Sequence, residues 1–141
     1  MKKLLTALIF MVAMTVWAGD FEDGYSQSVA KNFEEAVRLY RIAAGKGDFR
    51  AQTNLGILYA NGQGVPQDYV EAARWYRLAA DQGDGYAQSN LGLSFQQGQG
   101  VIQNYAEAAR WFRLAAEQGN VVAQFNLGVL YYHGNGVAQD S

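Results

Sequence analysis

From residue 33 onward, apolar residues recur every three or four positions, and that pattern itself recurs every 36. Tyr69, Ala72, Ala73, Tyr76, Ala79 and Ala80 share one face of a helix, leaving Arg74, Arg77 and Asp81 on the other. Shifting the chain by 36 superposes Tyr105-Ala106-Glu107-Ala108-Ala109-Arg110-Trp111-Phe112 on Tyr69-Val70-Glu71-Ala72-Ala73-Arg74-Trp75-Tyr76, and a weaker copy begins at Phe33. The triplet Asn54-Leu55-Gly56 returns as Asn90-Leu91-Gly92 and Asn126-Leu127-Gly128. Repetition at this period predicts stacked supersecondary units, each too small to bury its apolar face alone.

Each unit reads as two helices. The first helices are predicted over 50–61, 86–97 and 122–133, with Ala51, Leu55, Leu58, Tyr59 and their equivalents on one side. Gly56, Gly92 and Gly128 lie inside them. A mid-helix glycine costs about 1 kcal/mol against alanine, so its return in each unit predicts a close approach by the neighbouring helix. Each second helix has a capping residue three positions before a carboxylate: Asn32 with Glu35, Asp68 with Glu71, Asn104 with Glu107. Gly47, Gly83 and Gly119 mark its end. Gly62-Gln63-Gly64-Val65 and its copies form the turn between the two helices. No Lys-Ser/Thr follows it and no strand precedes it, so it is not a phosphate cradle. Ser94 stands where Leu58 and Leu130 stand, and is expected to loosen the middle helix pair.

The first eighteen residues break the pattern. Lys2 and Lys3 precede an apolar run ending at Ala18, after which the chain turns acidic. The run is too short for the roughly 20 residues of a membrane span and has the form of a Sec-type signal peptide cleaved between Ala18 and Gly19. Periplasmic or secreted placement is the expectation, with no membrane span after cleavage. Loss of the two lysines leaves nine Lys and Arg against thirteen Asp and Glu, a formal charge of −4. Nucleic acid, whose phosphates require a basic stripe, is thereby excluded as the expected partner. With no cysteine, the fold rests on packing alone.

The run Ala51-Gln52, Asn54-Leu55-Gly56, Leu58-Tyr59, Gly62-Gln63-Gly64-Val65, Asp68-Tyr69, Ala72, Trp75-Tyr76, Ala79-Ala80, Gln82-Gly83 resembles a Sel1-like repeat of the tetratricopeptide superfamily. The resemblance extends from about residue 33 to 140. Residues 21–36, with Phe21, Gly24, Phe33 and Ala36, resemble the shorter opening helical pair of secreted members. The implied fold is an all-α, right-handed α/α solenoid over 19–141, with units near 20–47, 48–83, 84–119 and 120–141. The last unit stops at Ser141, before its second helix. That leaves helix 122–133 without a cover and makes a longer array, a partner or a second copy the expected remedy.

Candidate chemistry is sparse. His133 is the only histidine and holds the helix-exit position of Asn61 and Gln97. A lone histidine without cysteine builds neither a zinc site nor a nucleophilic triad. No metal, cofactor or catalytic residue is expected. Trp75, Trp111, Tyr76 and Phe112 recur at helical spacing and read as core. The resemblance implies that first helices line a concave inner wall. Projected onto it, Arg50, Asn54, Ile57, Tyr86, Asn90, Leu93, Phe125, Asn126, Val129, Tyr132 and His133 form a surface running from polar to apolar and aromatic, with Thr53 and Ser89 on the same wall. Such a surface fits an extended peptide or partner helix. In related peptide binders the repeated asparagine touches the bound chain. The leading expectation is therefore an exported, non-enzymatic scaffold for a protein or peptide. One alternative is a weak penicillin-binding or β-lactamase-like hydrolase, implied only by cysteine-rich relatives. Another is a structural protein that self-associates through its uncovered last helix.

Overall fold

A computed structural model describes residues 19–137. The signal segment expected over 1–18 lies outside the described residues, as do 138–141. Seven helices occupy the described residues: α1 (19–29), α2 (Phe33–Gly45), α3 (Phe49–Asn61), α4 (Tyr69–Asp81), α5 (Gly85–Gln97), α6 (Tyr105–Glu117) and α7 (Val121–His133). From α2 onward each packs against the next in chain order, giving the all-α solenoid that the periodicity predicts.

The mid-helix glycines explain how the helices of a pair meet. A β-carbon on Gly56 would stand 2.6 Å from the Tyr76 ring, and one on Gly92 2.7 Å from the Phe112 ring, so each glycine seats an aromatic ring of the following helix. Gly24 does the same for Tyr40, at 2.9 Å. It identifies α1 as a first-type helix whose connection to α2, residues 30–32, is four residues shorter than the seven-residue loop 62–68. The short opening pair is therefore real. These rings and the alanine pairs form two core clusters, one around Tyr40 and Leu55, the other around Phe112, Leu91 and Leu130.

First helices end on left-handed Gly62, Gly98 and Gly134 (φ 65°, 67° and 66°), and Gln63 N–H reaches back to Leu58 carbonyl at 3.0 Å. Second helices release at Gly47, Gly83 and Gly119, all at positive φ as the sequence indicates.

The caps differ from expectation in two ways. Asp68 accepts from the backbone N–H of Val70 and Glu71, and Asn104 from that of Glu107, but Asn32 makes no capping bond; its amide donates to Gln27 instead. The carboxylates of Glu35, Glu71 and Glu107 do not reach back to the caps. Each is drawn to the arginine one turn on, Arg38, Arg74 or Arg110, because a guanidinium offers a charged, two-pronged donor where the cap offers one amide. The first helices carry caps of their own, unread in the sequence: Asp48, Asp84 and Asn120.

Glutamines link the units. Gln82 donates to Gln52 at 2.8 Å, and Gln52 to the Ala44 carbonyl at 3.2 Å; Gln118, Gln88 and the Ala80 carbonyl repeat the chain one unit on. Ser94 is buried and returns its hydroxyl to the Asn90 carbonyl at 3.1 Å, which satisfies it within its own helix.

Candidate functional site

Two adjoining cavities open between the first helices. The first, of about 390 Å3, is walled by Phe21 and Tyr25 of α1, by Phe49, Arg50, Thr53, Asn54 and Ile57 of α3, and by Tyr86 and Asn90 of α5, with Asp84 before α5. The second, of about 500 Å3, takes in Ile57, Asn61, Asn90, Leu93, Gln97 and, from α4, Tyr69 and Tyr76. Ile57 and Asn90 belong to both, so the two form one groove along the first-helix side.

Six of the eleven projected residues meet here: Arg50, Asn54, Ile57, Tyr86, Asn90 and Leu93. The five from α7, Phe125, Asn126, Val129, Tyr132 and His133, wall neither cavity. Phe125 and Tyr132 stand exposed, and His133 lies edge-on to Tyr132 in the last turn. Thr53 and Ser89 are buried; Thr53 reaches the first cavity's wall but spends its hydroxyl on Asp84 of the next unit at 2.7 Å. The projected polar end is not polar either. Phe21, Tyr25 and Phe49 make it aromatic, and α1 escaped the projection because its short loop breaks the period of 36. Placing Gly24 on Gly56 would have brought Phe21 onto Thr53 and Tyr25 onto Ile57.

The three repeated asparagines are chemically distinct. Asn54 donates to the Tyr40 hydroxyl at 3.2 Å, and Asn126 to its own helix at the Val122 carbonyl, 3.0 Å away. Asn90 makes neither bond, although Tyr76 stands where Tyr40 does: its side-chain amide makes no hydrogen bond to another described residue, and it lies where the two cavities join. Phe112, which stands where Tyr40 does in the first pair, offers Asn126 no hydroxyl, and Asn126 turns to its own helix. Burial pushes the Tyr76 hydroxyl's pKa well above the usual phenol value, and that of Tyr40 in the same direction, the latter partly offset by the bond from Asn54. Both stay neutral donors at ordinary pH. Arg50 is held charged by Asp48, 2.8 Å away, and by Glu22 at 3.2 Å.

No group of three or more His, Cys, Asp or Glu able to hold a metal occurs among the described residues, and none of their helices is long and apolar enough to cross a membrane. Trp111 is buried in the core, whereas Trp75 is half-buried; Arg74 and Arg110 lie over the two indoles at 4.4 and 4.3 Å.

Helix pairs stacked at a fixed period, with a groove between their first helices, define an α-helical repeat solenoid of the scaffold type. The Sel1 repeat profile matches residues 16–48, 49–84, 85–120 and 121–141, and the chain belongs to the Sel1 repeat family. Repeats of this family generally serve as scaffolds for protein–protein contact. Among solved structures, it is similar to c5321, a protective antigen of uropathogenic Escherichia coli with an SLR fold: 36% identity, TM-score 0.86, over 90% of this chain and 28% of the antigen. It is also similar to a Sel1 repeat protein from Oxalobacter formigenes, at 36% identity and TM-score 0.81, over 85% of this chain and 49% of that one. The chain thus spans half or less of either relative. Cysteine rich protein B of Helicobacter pylori, at 23% identity and TM-score 0.67 over 83% of this chain and 93% of that one, shares the fold; this chain has no cysteine. No curated protein matches the chain.

Proposed function

We propose that the protein is an exported scaffold that holds a peptide or a segment of a partner protein in the groove between α1, α3 and α5, and that it is not an enzyme. The observation that carries this reading is Asn90. A half-buried amide with donor and acceptor both free, at the junction of two cavities, can pair with a peptide backbone at no expense to the stack. Asn54 and Asn126 are already engaged within the protein. Tagged protein used to capture partners from envelope extract should therefore lose most of its capture on Asn90→Ala, with an unchanged melting temperature, while Asn126→Ala captures normally. A large fall in melting temperature for Asn90→Ala would assign the residue to the stack and remove the reading. Export predicts that protein recovered from the periplasm or medium begins at Gly19.

The exposed apolar face of α7, with Val121, Val122, Phe125 and Tyr132, favours a second reading in which two copies meet through α7. Light scattering at the monomer mass across a hundredfold dilution would eliminate it.

A further inference from the structure

Apart from Asn90 at the rim and the tyrosine hydroxyls, the first cavity's polar side chains are engaged within the protein. The Arg50 guanidinium is bonded to Asp48 and Glu22 and lies 4.0 Å over the Phe21 ring. The Thr53 hydroxyl is taken by Asp84, which also accepts from the Ala87 N–H, and the Asn54 amide N–H is taken by Tyr40. What remains unsatisfied is aromatic surface contributed by three separate helices: Tyr25 of α1, Phe49 of α3 and Tyr86 of α5 are 53%, 42% and 73% exposed, and all three line this one cavity. Exposed rings converging on a concavity are the composition of an anchoring pocket, since rigid aromatic side chains gain the most from desolvation at the lowest entropic loss.

Resting on the groove reading above, we infer that this cavity is the anchor site for one bulky apolar side chain, such as Leu, Met or Phe, of an extended peptide whose backbone is held by Asn90 at the rim. A charged anchor finds no unengaged counter-charge in the wall. The two charged groups of the wall are already engaged within the protein, Arg50 with Asp48 and Glu22, and Asp84 with Thr53 and the Ala87 N–H. A volume of about 390 Å3 accommodates one large side chain with its adjoining backbone. The second cavity, lined by Asn61, Gln97, Gln99 and Tyr69, is amide-rich and suits polar flanking residues.

The test is selection of a random heptapeptide library on the full chain, followed by fluorescence polarisation with individual selected peptides. Selected peptides should share one bulky apolar position. Replacing that residue by Ser, or introducing Tyr86→Ser or Phe49→Ser in the protein, should weaken binding on the order of tenfold or more. Combining peptide and protein changes should add little further loss, because both remove the same contact. Val70→Ser, on exposed α4 surface outside both cavities, should change nothing. Selected peptides that share a charged motif, or whose binding is lost with Asn90→Ala yet indifferent to Tyr86 and Phe49, would overturn the anchor and leave the groove. Failure to select any peptide, or binding indifferent to all three positions, would overturn both. Tyr86 and Phe49 are surface rings, so unaltered melting curves will certify that their variants remain folded.

Discussion

Gly56, Gly92 and Gly128 each follow Asn-Leu at the same repeat position and differ in structure, which makes them a controlled experiment. Alanine at Gly92 would drive a methyl to 2.7 Å from Phe112, a fully buried ring with nowhere to retreat, whereas Gly128 has nothing within 4 Å. Gly92→Ala should therefore destabilise by about 1–2 kcal/mol, overpacking outweighing the gain in helix propensity. Gly128→Ala should stabilise by up to about 1 kcal/mol, since only propensity operates. Urea titrations of the two variants decide it, and equal effects would refute the ring-seat account. Tyr76 supplies a pH test of the same site. Its burial raises the folded-state pKa above the unfolded value of about 10, so its contribution to stability is complete below that pH and is lost as the pH rises through the alkaline range. Phe112 occupies the equivalent place in the next unit, so Tyr76→Phe should fold and should lose less stability between about pH 9.5 and 11 than the wild type. The need for a close approach at these glycines was legible from a helix-breaking residue recurring on schedule. Which ring fills each seat required the structure.

Helix caps were legible where a capping residue sits at the correct offset and nothing nearby competes for it. Asp68 and Asn104 cap as written. Asn32 carries the same signature, but after the short loop its backbone (φ −83°, ψ 66°) is not in the extended conformation of Asp68 and Asn104; no capping bond forms, and its amide donates to Gln27 at 2.9 Å. Asp84, which the sequence did not mark, does two tasks: it accepts from Ala87 N–H at 2.9 Å and from Thr53 of the preceding unit at 2.7 Å. Asp84→Ala should accordingly cost about 1–2 kcal/mol, and Asn32→Ala close to nothing, in thermal or chemical denaturation. A comparable loss for both would show that the sequence signature, and not the observed bond, governs the helix start. The Glu–Arg pairs one turn apart on α2, α4 and α6 are exposed and contribute little. Arg38 and Arg110 hold the carboxyls of Glu35 and Glu107 below the ordinary range, so the small stabilisation they give is present above about pH 4.3 and fades as the pH falls through the depressed values.

At the scale of the molecule, the period of 36 made the array legible and also hid part of its candidate site. Projection by period reached α3, α5 and α7 but passed over α1, whose four missing loop residues put Phe21 and Tyr25 out of phase with their equivalents. It also granted α7 the same environment as α3 and α5, although among the described residues α7 packs on α6 and, slightly, on α5. In a stack where each helix is held by its neighbours, that asymmetry sets the order of local opening. Helices α3 to α6 bury five to seven residues each, while α7 buries Ala123 and Leu130 alone. Its hydrogen bonds should therefore open well below the global unfolding energy. Hydrogen exchange on the protein should show α7 amides exchanging first, with α3 to α6 protected together, and with no change across α3 to α6 when Phe125 is replaced by Ser. Protection of α7 equal to that of α5, lost on dilution or on Phe125→Ser, would show instead that a second copy covers it. In that event the free surface left for a partner is the groove between α1, α3 and α5, where Asn90 stands.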